Sequence, residues 1–98
     1  TNTEKIASEI PTGFVLKQNY PNPFNPATKI NYELRVTNYV SLKIYDVRGK
    51  AITTLFNEKQ NSGNYIIKFD GSDLPSGVYY YKLQAGSFSQ VRKMILLK

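Results

Sequence analysis

Apolar and polar residues alternate with a period of two through most of this 98-residue chain, and that pattern admits one class of fold. Between Thr28 and Leu34, the side chains of Ile30, Tyr32 and Leu34 fall on one face and those of Lys29, Asn31 and Glu33 on the other. Val40, Leu42 and Ile44 alternate in the same way with Ser41, Lys43 and Tyr45, and Tyr65, Ile67 and Phe69 share a face between Asn64 and Asp70. Successive side chains of a strand point to opposite faces, so each such segment buries one face and leaves the other in water. Helix-period spacing is nowhere sustained over three turns. Short strands over 14–18, 28–34, 40–46, 51–56, 64–70, 77–84 and 87–97, with turn chemistry between them, predict an all-β, immunoglobulin-like antiparallel sandwich of about seven strands. A small closed barrel is the alternative way to close such a set.

The punctuation is specific. Asp46-Val47-Arg48-Gly49-Lys50 reads as a turn in which Gly49 supplies the left-handed position. Asn57 to Gly63 reads as a polar loop, Asp70 to Gly77 as a longer turn, and Ala85-Gly86 as the tip of a C-terminal hairpin. Pro21, Pro23 and Pro26 fall within six positions, and each lacks an N–H and pushes its predecessor away from helical geometry. The segment from Asn19 to Pro26 is therefore expected to be extended, to lie outside a sheet, and to cross between sheets with Tyr20 and Phe24 pinning it to the core edge. The last strand is apolar on both faces, with Val91, Ile95 and Leu97 on one and Phe88, Met94 and Leu96 on the other. Cover on both sides or a register-switching bulge is the preferred explanation, and a face awaiting a partner is the other. Residues 1–11 read as a linker from an upstream cargo domain, with a short helix over Glu4 to Glu9 also open, and residues 12–98 as one domain. The start at Thr1 without Met reads as a fragment of a longer protein.

Composition narrows the chemistry. Neither His nor Cys is present, which removes the usual acid–base group, thiolate nucleophiles, disulfides and zinc–thiolate sites together. Asp70-Gly71-Ser72-Asp73 has a faint calcium-loop look, but a turn whose carboxylates bond nearby N–H groups is the better reading. A sandwich of this length has little surplus chain for a cleft flanked by paired carboxylates, and the glycines sit singly at turns rather than in a phosphate loop. The chain is therefore expected to be no enzyme and to use no cofactor or metal. Thirteen Lys and Arg against seven acids give a net charge of +6, spread singly along strands, and no stretch approaches the ~20 consecutive apolar residues of a transmembrane helix. No nucleic acid and no membrane insertion is expected. Lys43, Tyr45, Lys68, Tyr80 and Lys82 form a conceivable ladder of rings and ammonium groups, but ordinary exposed strand positions explain them more simply.

Four blocks in order carry a family resemblance. Asn19-Tyr20-Pro21-Asn22-Pro23-Phe24-Asn25-Pro26 resembles the opening of the C-terminal sorting domains carried by type IX secretion cargo in the Bacteroidetes and their relatives. Val40 to Gly49 is similar to the family's strand and Tyr-Asp-x-x-Gly turn, Leu74 to Tyr79 to its Leu-x-x-Gly-x-Tyr block, and Arg92 to Lys98 to its basic–apolar–Lys ending. The resemblance covers residues 11–98. It implies a non-catalytic secretion signal, in transit through the periplasm and then at the cell surface or outside it. It further implies recognition by the outer-membrane type IX translocon and removal by a sortase-like peptidase that joins the cargo to anionic lipopolysaccharide, with cleavage in Thr1 to Gly13. The recognition residues it implies are Pro21, Asn22, Pro23, Asp46, Gly49, Gly77, Tyr79, Lys93, Met94, Ile95, Leu96, Leu97 and Lys98. Related immunoglobulin-like domains of flagellar-hook capping proteins and extracellular glycosidases share the Asp-Gly…Ser-Gly-Val-Tyr stretch without a sorting role. A spacer or carbohydrate-binding accessory module of an extracellular enzyme is accordingly the alternative function.

Overall fold

The computed structural model describes residues 14–98. The expected linker, the helix option over Glu4 to Glu9 and the cleavage segment up to Gly13 lie outside them. Seven strands form, and no helix occurs among the described residues: β1 (Phe14–Leu16), β2 (Ala27–Leu34), β3 (Asn38–Tyr45), β4 (Ala51–Gln60), β5 (Gly63–Asp70), β6 (Gly77–Ala85) and β7 (Phe88–Leu96). Two antiparallel sheets result, one ordered β1-β2-β5 and the other β4-β3-β6-β7. In immunoglobulin lettering these are A-B-E and C′-C-F-G, so the predicted sandwich is the architecture observed.

The alternation read from the sequence decides which side chains meet between the sheets. Phe14 and Leu16, Ile30, Tyr32 and Leu34, Val40, Leu42 and Ile44, and Phe69 are all buried, as are Tyr79, Tyr81, Leu83, Met94 and Leu96 of the terminal hairpin. Fully burying each such side chain contributes about 1.5–3 kcal/mol. Tyr32 occupies the gap between the sheets on the β4/β5 side. Its ring stacks on Tyr65 at 5.1 Å and on Phe56 at 5.8 Å, and its hydroxyl donates to Gln60 Oε1.

Four expectations change. The polar stretch 57–60 is no loop but the second half of β4, pairing Asn57 with Ser41 and Gln60 with Asn38. An edge strand needs only its backbone for the ladder, and Asn57-Glu58-Lys59-Gln60 has no apolar alternation that would have revealed it. Tyr20 does not pin the proline segment to the core. It pairs with Lys29, shares that residue's outward side and is 81% exposed, whereas Phe24 does reach the core. The hairpin tip lies one residue later than expected, at Gly86-Ser87, since Ala85 pairs with Phe88. Finally, β7 pairs regularly with β6 from Phe88 to Leu96, without a bulge, and its second face is not covered. Val91 is 52% and Leu97 54% exposed, while Ile95 is half-buried. The doubly covered strand is thus overturned: Met94 and Leu96 enter the core, and the opposite face stays open.

Candidate recognition site

Three prolines in six positions leave few backbone donors, and these few set the path of the segment from Asn19 to Pro26. Tyr20 still exchanges both backbone hydrogen bonds with Lys29 at 3.0 Å, so the segment leaves from the β2 side. It then crosses to the other sheet, as expected, and runs parallel to the end of β7, with Phe24 bridging Leu96. Phe24 N donates to Ile95 O at 2.9 Å, and Leu97 N donates to Phe24 O at 3.0 Å. Asn22 Oδ1 accepts from Ile95 N at 2.9 Å, and Gln18 Nε2 donates to Lys93 O at 2.6 Å. The strap therefore caps the outer edge of the last strand from Lys93 to Leu97, groups that would otherwise invite pairing with another chain. Its ring plug, Phe24, is 1% exposed and meets Phe69 edge-on at 6.0 Å.

A buried polar hub holds the strap's entrance. Asn19 is 2% exposed; its Nδ2 donates to Pro21 O and to Thr28 Oγ1, and Thr28 Oγ1 donates to Pro21 O at 2.8 Å. Tyr81 Oη accepts from Asn19 N at 2.8 Å and donates to Lys17 O at 2.7 Å. Burial pushes the Tyr81 hydroxyl's pKa up, partly offset by the Asn19 N–H and the nearby Arg92 charge. Arg92 points toward the gap between the sheets and donates from Nε to Leu16 O at 2.8 Å, closing the same side of the sandwich. Thr28 and Tyr81 were invisible as hub members in the sequence, where each sits at an unremarked inward position.

The remaining motif residues converge at the same end. Asp46 Oδ1 accepts from Arg48 N and Lys50 N, both at 2.9 Å, and Gly49, at φ 85°, donates to Asp46 O. The Lys50 N–H, foremost among these, holds the Asp46 carboxyl below the usual carboxylate range, aided by Arg48 against a small desolvation. Asp70 Oδ1 accepts from Ser72 N and from Ser72 Oγ, the turn geometry preferred over a cation loop. Gly71 N donates to Pro26 O at 2.7 Å, and a Cβ there would sit 3.1 Å from Leu96 and 3.3 Å from Phe24. A side chain at this junction of strap, loop and last strand would press both neighbours back by a few tenths of an ångström. Tyr79 Oη donates to Pro75 O, four residues upstream, the tyrosine-corner arrangement of immunoglobulin-like sandwiches. Lys98 N donates to Ser76 Oγ at 3.0 Å and Lys98 Nζ to Ser72 O, so the last residue folds into the 70–77 loop.

Residues far apart in sequence thus form one end of the sandwich: the strap, the 46–50 turn, the 70–77 loop and residues 93–98. No enclosed cavity lies among them, and among the described residues no three carboxylates gather to hold a metal ion. Of the thirteen implied recognition residues, Tyr79, Met94 and Leu96 are core residues whose side chains no partner reaches in the folded domain. Pro21, Asn22, Pro23, Gly49, Lys93, Leu97 and Lys98 are exposed, and Asp46, Gly77 and Ile95 are half-exposed.

The family described as the secretion system C-terminal sorting domain matches residues 18–97, strap and terminal strand included. This chain belongs to that family. The family is one of sorting signals and is non-catalytic, which links the chain to a secretion system and to export to the cell surface or beyond. Two solved structures share the fold, both from Porphyromonas gingivalis. Dimeric latent PorU superposes with a TM-score of 0.67 at 20% identity, covering 96% of this chain and 10% of PorU. PorZ, an essential bacterial surface component of the type-IX secretion system, superposes with a TM-score of 0.56 at 22% identity, covering 83% of this chain and 11% of PorZ. The sorting domain thus spans about a tenth of either protein's chain. No curated protein matches it.

One further surface of the sorting domain concerns the ring-and-ammonium ladder. Lys43 lies directly opposite Lys82 and Tyr45 directly opposite Tyr80, so these four do share the outer face of the four-stranded sheet. Lys68 does not belong with them. It pairs with Lys29 on the other sheet.

Proposed function

We infer that the sorting domain is a folded address: a non-catalytic C-terminal signal that directs an attached upstream cargo across the periplasm and through the outer-membrane type IX translocon. A sortase-like peptidase then removes it by cutting within residues 1–13, upstream of a domain that begins at about residue 12. The interlock of Asn22 and Phe24 with Ile95 and Leu97 carries this reading. It joins the first and last motif blocks into one surface that exists only in the folded chain. Pro21, Asn22, Pro23, Gly49, Lys93, Leu97 and Lys98 offer side chains or backbone at that end to a receptor. Asp46, Gly77, Tyr79, Met94, Ile95 and Leu96 hold the shape behind them.

Polarity of the fold supports the assignment. Phe14 pairs with Leu34 at one end of β2, and Ala27 pairs with Asp70 at the other, beside the strap. Eight strand residues separate the two ends, about 25 Å. The chain enters at one end, and the motif loops and terminus occupy the opposite one. A receptor at the motif end therefore binds about 25 Å from Phe14, the first described residue. Fusion of residues 1–98 to an inert periplasmic reporter in a type IX-competent host tests the function. Surface delivery is expected; a reporter that stays in the periplasm while the domain is folded refutes it, and polysaccharide binding in its place would establish the accessory-module alternative.

A further inference from the structure

The two sheets of the sandwich present very different outer faces. On the three-stranded sheet, Lys29 and Lys68 share the face with the carboxylates of Glu33 and Asp70. The four-stranded sheet carries Lys43, Lys82 and Lys93 on its outward positions, and cross-strand partners set the face: Lys43 with Lys82, Tyr45 with Tyr80, Tyr80 with Lys93 and Lys82 with Val91. Lys59, opposite Tyr39, adds a fourth ammonium group on the edge strand. None of the outward positions in β3, β4, β6 or β7 is Asp or Glu. Asp46, at the rim, has its near oxygen occupied by the N–H groups of its own turn.

Lys43 and Lys82 lie on the two central strands, and an apolar strip interrupted by Lys93 runs along the edge strand beside them. Tyr45, Tyr80 and Val91 line a shallow depression with Lys82, and Val91, Ile95 and Leu97 continue along the outward side of β7 to the terminus. The fold does not need these side chains outside. Met94 and Leu96 fill the core, and the strap already caps the strand's free edge from Lys93 to Leu97. The strap occupies that stretch of the edge, and the outward face of β7 stays available. A flat face with no carboxylate at its outward strand positions, with lysines and tyrosines on its central strands and an aliphatic line along one edge, is complementary to a protein surface that is acidic and partly apolar. Sugar or base platforms gain little from Val91, Ile95 and Leu97, whereas an apolar protein surface gains from all three.

We propose that the outer face of the four-stranded sheet docks onto a protein surface of the export machinery that sets carboxylates against the central lysines and an apolar patch against the β7 side. The proposal rests on the sorting reading and names the face and the partner chemistry that reading leaves open. Complementary charge steers encounter and falls with ionic strength, so the lysines act chiefly on capture.

The test compares the reporter fusion carrying residues 1–98 unmodified, as K43Q/K82Q/K93Q, and as K29Q/K68Q. The last pair removes the same kind of directly opposed lysines from the other sheet. The triple variant is expected to lower surface delivery by about tenfold, and the double variant to stay within about twofold. Melting temperatures of the purified domains should not fall in either, because directly opposed like charges oppose pairing. Wild-type delivery by the triple variant, or an equal loss in the double variant, overturns the docking face and leaves the sorting function standing. Failure of the unmodified fusion to reach the surface overturns both. Salt-sensitive binding of the wild-type domain to phosphatidylglycerol vesicles, lost in the triple variant, would assign the face to lipid and overturn the protein partner.

Discussion

At the scale of single residues, buried hydroxyls carry much of the specificity. Tyr81 satisfies two backbone groups, Lys17 O and Asn19 N, that belong to the approach to the strap. Tyr81→Phe keeps the ring and strands both, and an equilibrium urea titration should show a loss of about 1–3 kcal/mol. Tyr32 adds a pH dependence. Burial, foremost, raises its pKa to about 12, against a lowering by the Gln60 hydrogen bond. The folded chain then holds a proton that the unfolded chain releases near pH 10. Stability from this group is complete below about pH 10 and declines as pH rises toward 12; Tyr32→Phe should flatten that decline in chemical denaturation series. The sequence placed Tyr32 correctly on an inward strand face and left Tyr81 unremarked. What their hydroxyls would meet was not legible, because Gln60 and Lys17 come from elements distant in the chain.

At the scale of elements, the strap and the terminal hairpin depend on one another. Phe24 is the strap's anchor in the core, so Phe24→Ala should cost about 3–5 kcal/mol in denaturant titration. Tyr20→Ala, on the exposed side of the same segment, should stay within about 0.5 kcal/mol. Leu83 is fully buried in β6, and Leu83→Ala should cost about 2–5 kcal/mol. Ile95 is half-exposed on the outer face of β7, and Ile95→Ala should cost less. Prolines made the strap readable as an extended crossing, since missing N–H groups are a local property. Its partner strand was not readable, because pairing with Ile95 and Leu97 is a contact across more than seventy residues.

At the scale of the whole molecule, the terminus is held by contacts that add little to the core. Deleting Leu97 and Lys98 removes the Leu97 N–Phe24 O bond and the Lys98 contacts to Ser72 and Ser76, with no buried apolar side chain lost. The truncated domain should still unfold cooperatively, at a cost of about 1–3 kcal/mol, while delivery of a fused reporter is abolished. Delivery at the wild-type level by that truncation would remove the terminus from the signal.

Local chemistry alone determined the class of fold, the inward faces of β2, β3 and β5, the turns at Asp46 and Asp70, and the family motifs. Each follows from side-chain period, missing N–H groups or a short polar side chain bonding its own neighbours, and none requires knowledge of a distant residue. Tertiary structure decided the rest: that β4 runs on to Gln60, that the strap closes on β7, that four motif blocks meet at one end, and that the outer face of β7 stays bare. Strand pairing and burial are non-local, and a chain's own alternation says which side is apolar but not what, if anything, covers it.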